Sequence, residues 1–200
     1  MKPKILSLGE VLWDLMPSGP VLGGAPANFA IHARALGADA ALVSRIGDDA
    51  LGHDILNRFQ ANGFPTELIA VDTTAKTGVV EVQLGVDGQP VYVIHEDAAW
   101  DRLSADARSM EAAVEADAIC FGSLAQRSEA SREAIRRLVL ATPTDALRVF
   151  DINLRQAFYS DEVLETSLEV ANALKLNDTE LPVLAAQFSL TGDTLSLIHI

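Results

Sequence analysis

Short apolar runs alternate with segments of helical periodicity along almost the whole chain, and this alternation limits the fold more than any other feature. Short apolar runs are typical of strands buried on both faces, whereas apolar residues three or four apart mark one face of a helix. Five runs predict strands, at Ile5–Leu8, Ala40–Ile46, Ala118–Phe121, Arg148–Ile152 and Ala173–Leu176. Five segments predict helices, at Ala27–Leu36, Leu51–Ala61, Ala105–Glu115, Ser128–Leu140 and Thr179–Gln187. The order indicates an α/β fold with a doubly wound, mainly parallel sheet.

One segment departs from this pattern. Thr77–Leu84 and Pro90–Glu96 flank Gly85-Val86-Asp87-Gly88, and an Asp-Gly turn between two such runs predicts a β-hairpin. A hairpin embedded in a doubly wound sheet projects from it, and parallel sheets bind ligands at the carboxyl ends of their strands. The hairpin is therefore either a lid over a ligand or an edge hairpin with no such role.

The charge balance restricts the classes of partner. The 200 residues include 15 Lys+Arg and 28 Asp+Glu, which gives a net charge of −13. Nucleic acids and anionic membranes bind basic faces, so neither is expected as a partner. Glu10 and Asp14 interrupt the apolar run behind Lys2 and Lys4, which argues against a signal peptide. The one cysteine, Cys120, is predicted to be a buried thiol, and we expect a cytoplasmic protein.

The strongest local signal is the segment Gly23-Gly24-Ala25-Pro26-Ala27-Asn28, directly before a predicted helix. Two glycines let a ligand approach the backbone closely, and the start of a helix offers free N–H groups. The Asn28 side chain has a donor and an acceptor, which suits a hydroxyl-rich ligand. The spacing matches neither a Walker A loop nor a dinucleotide fingerprint. Taken alone, a glycine pair before a helix is more often only a turn.

Five ordered motifs, together with the segment Gly9–Asp14, extend this signal. They are Gly-Gly-Ala-Pro-Ala-Asn-Phe-Ala from Gly23, Leu36–Ala38, Ile46–Asp49 with Gly52, Asp151–Arg155, and Lys175–Glu180. The set resembles the pfkB-type (ribokinase-like) carbohydrate kinases, and Gly9–Asp14 resembles the start of the fructokinases among them. The resemblance runs from Ile5 to about Leu190.

This resemblance implies an ATP-dependent, Mg²⁺-requiring kinase of a small sugar, with a Rossmann-like domain and a small β lid. It therefore favours the lid interpretation of the hairpin. Asp14 matches the acidic residue that binds sugar hydroxyls, and Gly23, Gly24 and Asn28 match the floor of the sugar pocket. Without the resemblance, Asp14 would be interpreted as a solvated turn residue. Gln126, together with the adjacent Arg127, follows a predicted strand and is a weaker candidate for the sugar pocket.

Asp151, Asn153 and Arg155 alternate at the end of a predicted strand, so their side chains are expected on one face. The forked donors of Arg155 suit a phosphoryl group, although a buried ion pair with Asp151 is a serious alternative.

Asn177 and Glu180 match an Asn-x-x-Glu element that the family associates with Mg²⁺ and phosphate. Glu180 would act on Mg²⁺ through water, because this ion keeps much of its hydration shell. Without the resemblance, the pair would be a capping feature, with Asp178 as the helix N-cap. Asp48 and Asp49, by contrast, are predicted to cap a helix rather than to bind a metal.

The sequence contains no Gly-Ala-Gly-Asp element, which in this family supplies the catalytic base and a phosphate-binding helix start. We therefore expect residues 1–194 to be the N-terminal portion of a longer kinase, inactive by itself. Leu195–Ile200 reads as the translation of a transposase adaptor used in DNA library preparation (CTG TCT CTT ATA CAC ATC), and we interpret it as a non-native tail.

For the complete protein, the resemblance implies phosphorylation of a primary hydroxyl, with fructose as first choice. A kinase of 2-keto-3-deoxygluconate or another ketose is the alternative, since Arg127 or Arg155 could hold a carboxylate. A non-catalytic sugar-binding module, or an incomplete domain, is the alternative of a different class. A homodimer formed through the lid is a further expectation from the resemblance alone.

Overall fold

A computed structural model describes residues 2–84 and 90–192. The strands are β1 (Lys4–Leu8), β2 (Leu12–Met16), β3 (Gly19–Gly23), β4 (Asp39–Gly47), β5 (Ile69–Asp72), β6 (Gly78–Leu84), β7 (Pro90–Ile94), β8 (Ala118–Gly122), β9 (Leu147–Asp151) and β10 (Ala173–Lys175). The helices are α1 (Ala25–Ala35), α2 (Ala50–Ala61), α3 (Ala107–Val114), α4 (Glu129–Ala141), α5 (Asp161–Val170) and α6 (Leu181–Gln187). Short 3-10 turns occupy Ala99–Arg102 and Leu124–Arg127. Among the described helices, none is long and apolar enough to cross a bilayer.

The large sheet has six strands in the order β10-β9-β8-β1-β4-β5, and every pairing is parallel. The strand order reverses direction between β1 and β8, so the chain segments after these two strands diverge and leave a crevice at the carboxyl edge. The predicted doubly wound α/β fold is therefore confirmed.

Helices cover both faces of this sheet. Successive residues of β4 point to opposite faces, and Leu42 and Val43 accordingly belong to two different buried clusters. The Leu42 cluster contains residues of α1 and α2, such as Ala30 and Ile55. The Val43 cluster contains residues of α3, α4 and α5, and it includes the stacked rings of Phe121 and Phe150, 5.3 Å apart.

A second, four-stranded sheet has the order β3-β2-β6-β7. The pairing of β2 with β6 is parallel, and the other two pairings are antiparallel. The predicted hairpin strands are confirmed as β6 and β7, while the Gly85–Gly88 turn falls outside the described residues. Where this hairpin joins the body, Lys76 forms a bridge with Ala98, and the Ala99 N–H donates to the Lys76 carbonyl over 2.7 Å.

Asp49 has the structural role that the sequence predicted. Its Oδ1 accepts the Gly52 N–H at 2.8 Å and caps α2. The same carboxylate accepts the N–H and the hydroxyl of Thr77, at 2.9 and 2.7 Å, so it also fixes the chain just before β6. These bonds hold the pKa of Asp49 below its usual value although burial opposes them.

Several local expectations need correction. The sequence indicated neither the β2–β3 hairpin nor β5 nor α5. Asp178 is not the N-cap of α6, because the Asn177 Oδ1 accepts the N–H groups of Thr179 and Glu180, and the helix begins only at Leu181.

Cys120 is buried as predicted, and burial raises the pKa of its thiol to about 12. The Leu195–Ile200 tail lies outside the described residues.

Candidate functional site

A cleft of about 910 Å³ opens at the carboxyl edge of the large sheet, next to the switch in strand order. One wall comes from the small sheet and the other from the start of α1 and the loop that follows β9. The lining residues are Glu10, Leu12, Asp14, Met16, Val21, Gly24, Ala25, Asn28, Val80, Tyr92, Ile94, Leu124, Asn153, Leu154, Arg155 and Gln156. Apolar walls with a few polar groups between them are typical of small-molecule sites.

Four of the predicted site residues line this cleft together: Asp14, Gly24, Asn28 and Arg155. Gly23 lies directly behind, since a Cβ atom there would overlap the Asp14 carboxylate. Because Gly23 has no side chain, the carboxylate of Asp14 can lie against its backbone.

Asp14 lies on β2 and is half-buried, which corrects its alternative interpretation as a solvated turn residue. Burial raises the pKa of its carboxyl, and the positive charge of Arg155 partly offsets the shift. Asp14 and Arg155 thus face the same space from different walls.

Glu10 was missed as a site residue by the sequence analysis, and the structure places it in the cleft wall. It follows β1, the strand beside the switch in order, and is 2% exposed. Its Oε1 accepts the Ala25 N–H at 3.3 Å, while its buried Oε2 has no hydrogen-bond partner among the described residues. Burial raises the pKa of Glu10 to about 7. An acidic residue two positions after an apolar strand is the sequence signal that could have found it.

The Asp151–Arg155 segment does not continue as a strand. β9 ends at Asp151, and Asn153 adopts a positive φ of 39°, so the expected alternation on one face is wrong. Asp151 pairs with the Lys175 Nζ at 2.9 Å, and Arg155 is exposed and donates to the Leu154 carbonyl at 3.0 Å. The alternative of a buried Arg155–Asp151 ion pair is therefore also wrong.

Glu180 and Asn177 lie beside this loop rather than in the cleft lining. The Glu180 carboxylate is buried and accepts two backbone N–H groups, from Leu154 at 3.0 Å and from Asn177 at 2.8 Å. It therefore ties the turn before α6 to the loop that carries Arg155.

We expect Glu180→Gln to lower the free energy of unfolding by about 1–2 kcal/mol, because the amide can accept only one of these two N–H groups. Urea unfolding measures the change. The control is Glu162→Gln, whose exposed pair with Arg132 at 3.5 Å should contribute less than about 0.5 kcal/mol. Equal losses in the two variants would contradict the structural role of Glu180.

The structure does not bring Gln126 to this cleft. Its Nε2 donates to the Gly122 carbonyl and the Ser167 hydroxyl, both at 2.9 Å, and Gln126 and Arg127 line a separate cleft of about 700 Å³. Arg127 forms two 2.8 Å hydrogen bonds to the Asp101 carboxylate and lies over the Trp100 ring. The 3-10 turn at Leu124–Arg127 turns both side chains away from Asp14 and Asn28.

Comparison with known proteins identifies the family that the chain matches. Residues 20–196 match the model of the pfkB family carbohydrate kinases. A fructokinase of Solanum tuberosum is 31% identical over 98% of this chain, and the chain spans 64% of that relative's length.

The fold is shared with solved structures of sugar kinases. The fructokinase of Xylella fastidiosa with bound ATP superposes with a TM-score of 0.83 at 25% identity, covering 100% of this chain and 65% of that one. A sugar kinase of Pyrococcus horikoshii in complex with ATP also has a TM-score of 0.83, at 28% identity, covering 92% and 66%.

Proposed function

The chain belongs to the pfkB family of carbohydrate kinases, and from this premise we propose that the complete protein transfers a phosphoryl group from ATP to a primary hydroxyl of a small sugar, with fructose as first choice. The observation that carries the proposal is the meeting of Asp14, Asn28 and Arg155 in one cleft at the carboxyl edge of the sheet. The related fructokinases of Solanum tuberosum and Xylella fastidiosa favour fructose as the substrate.

The polar groups of the cleft suit a polyhydroxylated ligand. The Asp14 carboxylate can accept bonds from two neighbouring hydroxyls with charge assistance. The exposed amide of Asn28 offers both a donor and an acceptor. Leu12, Val80 and Ile94 supply apolar surface for the carbon skeleton. In this arrangement the sugar lies between the small sheet, acting as a lid, and the start of α1.

The Arg155 side chain is the candidate for contact with the transferred phosphoryl group. It is exposed on the loop beside the cleft, and its forked donors match phosphate oxygens. The general base that accepts the proton of the sugar hydroxyl would come from a Gly-Ala-Gly-Asp element outside these 200 residues. The residues of this chain then bind and orient the sugar but do not remove its proton.

Glu180 would hold a Mg²⁺ ion through water, while the Asn177 Oδ1 already accepts three hydrogen bonds within its own turn. Both Glu180 oxygens already accept backbone N–H groups, so the carboxylate is fixed in place and suits a bond from a metal-bound water better than direct ligation. When bound, Mg²⁺ neutralises charge on the phosphate oxygens.

Assay of the complete protein with ATP, Mg²⁺ and either fructose or 2-keto-3-deoxygluconate tests the proposal, with release of ADP as the readout. We expect fructose to have the higher kcat/KM. If neither sugar is phosphorylated, the kinase proposal is refuted. If the keto-acid has the higher kcat/KM, it replaces fructose as the proposed substrate. Exposed Arg155 is the cation that favours this second candidate, since it lines the cleft and could hold a carboxylate.

Asp14→Asn is expected to lower kcat/KM for fructose by about 10–100-fold, because the isosteric amide loses the charged acceptor for the sugar hydroxyls. The matched control is Asp54→Asn, a half-buried acid on α2 that pairs with Arg58 at 3.2 Å and does not line the cleft. Similar kinetics for the two variants would remove Asp14 from the sugar site.

Binding without turnover would favour the other class of function. Calorimetric binding of fructose by a protein that releases no ADP would indicate a sugar-binding module, and an aggregated or molten 200-residue chain would indicate an incomplete domain.

We further propose a cytoplasmic location. We also propose a dimer paired through the small sheet, and sedimentation with and without the segment 77–96 would test this dimer.

A further inference from the structure

The side chain of Gln156 joins two walls of the cleft. Its Nε2 donates to the carbonyl of Tyr92 on β7, and both residues line the cleft. We propose that Gln156 is a positioning residue, which holds Arg155 at a fixed place relative to a sugar bound on the small sheet. The inference rests on the proposed kinase function and adds to it a residue that acts through its neighbour.

The Tyr92 carbonyl belongs to the same sheet as Asp14. The strand pairings place Asp14, Val80 and Ile94 in one row across β2, β6 and β7. Tyr92 lies two residues before Ile94 along β7. Because backbone hydrogen bonds join these three strands, a contact at Tyr92 also fixes the position of Asp14.

The Tyr92 carbonyl lies on the open edge of the small sheet. β7 is an edge strand, and in an antiparallel pair successive residues direct their N–H and carbonyl groups alternately toward the partner strand and away from it. The His95 N–H bonds to the Val79 carbonyl on β6, so by this alternation the Tyr92 carbonyl points away from β6. It therefore needs a donor from outside the sheet, and Gln156 supplies one.

Two hydrogen bonds hold the start of the loop that follows β9. The Ile152 carbonyl accepts the Ser123 hydroxyl at 2.6 Å, and the Leu154 N–H donates to Glu180 at 3.0 Å. Both bonds tie the loop to the body of the protein, and neither involves the small sheet. Arg155 follows directly and is exposed. Its position relative to the small sheet therefore depends on a further contact.

An uncommon backbone conformation brings Gln156 to this contact. Its φ is 49°, a value that residues other than glycine rarely adopt. Successive side chains of an extended chain point to opposite sides, whereas Leu154, Arg155 and Gln156 all line the cleft. The Phe158 N–H closes the turn by donating to the Arg155 carbonyl at 3.0 Å. Such strained conformations cluster at functional sites, where the surrounding structure holds them.

Phosphoryl transfer depends on the mutual placement of the sugar hydroxyl and the transferred group. In the proposed function Asp14 holds the sugar and Arg155 contacts the phosphoryl group. A displacement of about 1 Å between such groups can lower the rate by about 100-fold. The Gln156 bond joins the sheet that carries Asp14 to the residue next to Arg155. Its loss should therefore slow turnover without removing a contact to the sugar.

Gln156→Met tests the inference, because it removes the donor and keeps a side chain of similar length. With the complete protein, ATP, Mg²⁺ and fructose, we expect kcat to fall about 10–100-fold while the calorimetric Kd for fructose changes less than about threefold. The melting temperature should stay within about 3 °C of the wild type, since the bond is exposed to solvent. Gln156→Leu, which also lacks a donor, should give the same result.

The matched control is Gln60→Met, at an exposed glutamine on α2 that does not line the cleft. We expect it to keep the wild-type kcat and Kd. Unchanged kcat in Gln156→Met would overturn the inference. A loss of fructose affinity as large as the loss of kcat would also overturn it, because Gln156 would then support sugar binding rather than the placement of Arg155.

A double-mutant cycle tests whether Gln156 acts through Arg155. Arg155→Met should lower kcat more than Gln156→Met does, because it removes the phosphoryl contact itself. In the Arg155→Met background, Gln156→Met should change kcat less than about threefold, since no guanidinium remains to be positioned. Additive losses would overturn the inference. If Arg155→Met keeps the wild-type kcat, or if the wild type phosphorylates no sugar, the proposed function itself fails and the inference falls with it.

Discussion

Replacing Arg127 with methionine should lower the free energy of unfolding by about 3–5 kcal/mol, because it leaves the charge of Asp101 buried without its partner. The two side chains are 8% and 9% exposed and share two hydrogen bonds of 2.8 Å. Arg127 also donates to the His95 carbonyl at 2.7 Å and lies 4.6 Å from the centroid of the Phe158 ring. The substitution therefore loosens the junction between the end of β7 and the loop after β9.

Urea unfolding of the variant measures this loss, and Arg58→Met is the matched control. Arg58 also pairs with an aspartate and lies 4.5 Å from the centroid of the Trp13 ring, but its side chain is 49% exposed. We expect the control to lose less than about 1 kcal/mol. The double variant with Asp101→Asn should recover part of the loss from Arg127→Met, since it removes the unpaired charge. Equal losses at positions 58 and 127 would contradict a buried ion pair.

Gly24→Ala should destabilise the protein by about 3 kcal/mol or more and abolish measurable fructose binding, because two effects add at this position. Gly24 has a φ of 105°, which L side chains rarely adopt. The added methyl group would also overlap the carbonyl of Glu10, a backbone atom that cannot rotate away. To relieve the overlap, the start of α1 must move away from the cleft.

Gly37→Ala separates the two effects. Gly37 follows α1 with a φ of 100°, but a Cβ atom there would meet nothing within 4 Å. We expect only the conformational cost, about 1–2 kcal/mol, and unchanged fructose affinity. Thermal unfolding and calorimetry on both variants give the comparison. If Gly24→Ala lowered the free energy of unfolding no more than Gly37→Ala, the close approach of Gly24 to Glu10 would not affect stability.

Most of the large sheet could be predicted from the sequence, because its central strands β1, β4 and β8 are largely buried and form apolar runs, whereas the edge strand β5 was missed. Predicted and observed limits of β1, β4, β8 and β9 differ by one residue at each end at most. The small sheet was harder to predict. β2 contains Asp14 within an apolar run, and β3 begins with a glycine and a proline, so neither shows an alternating pattern.

The site could be predicted only where its residues form a motif. Asp14, Gly24 and Asn28 were identified in this way, and the structure brings them together. Glu10 was not identified, because its position in the cleft depends on a hydrogen bond to Ala25, which the chain reaches only after the β2–β3 hairpin. Gln126 was placed near the sugar because it follows a strand, whereas the 3-10 turn at Leu124–Arg127 redirects it. Such turns depend on tertiary packing and leave little trace in sequence periodicity.

The small sheet is built from two excursions of the chain, and each is closed at its base. The first leaves at Glu10 and returns at Ala25, whose N–H bonds to the Glu10 carboxyl; the second is closed by the bridge between Lys76 and Ala98. The small sheet is also held by its inner face, because Trp13 and Val80 belong to the buried clusters of the body. Any tilt of this sheet would therefore expose core surface as well as bend the two closed bases.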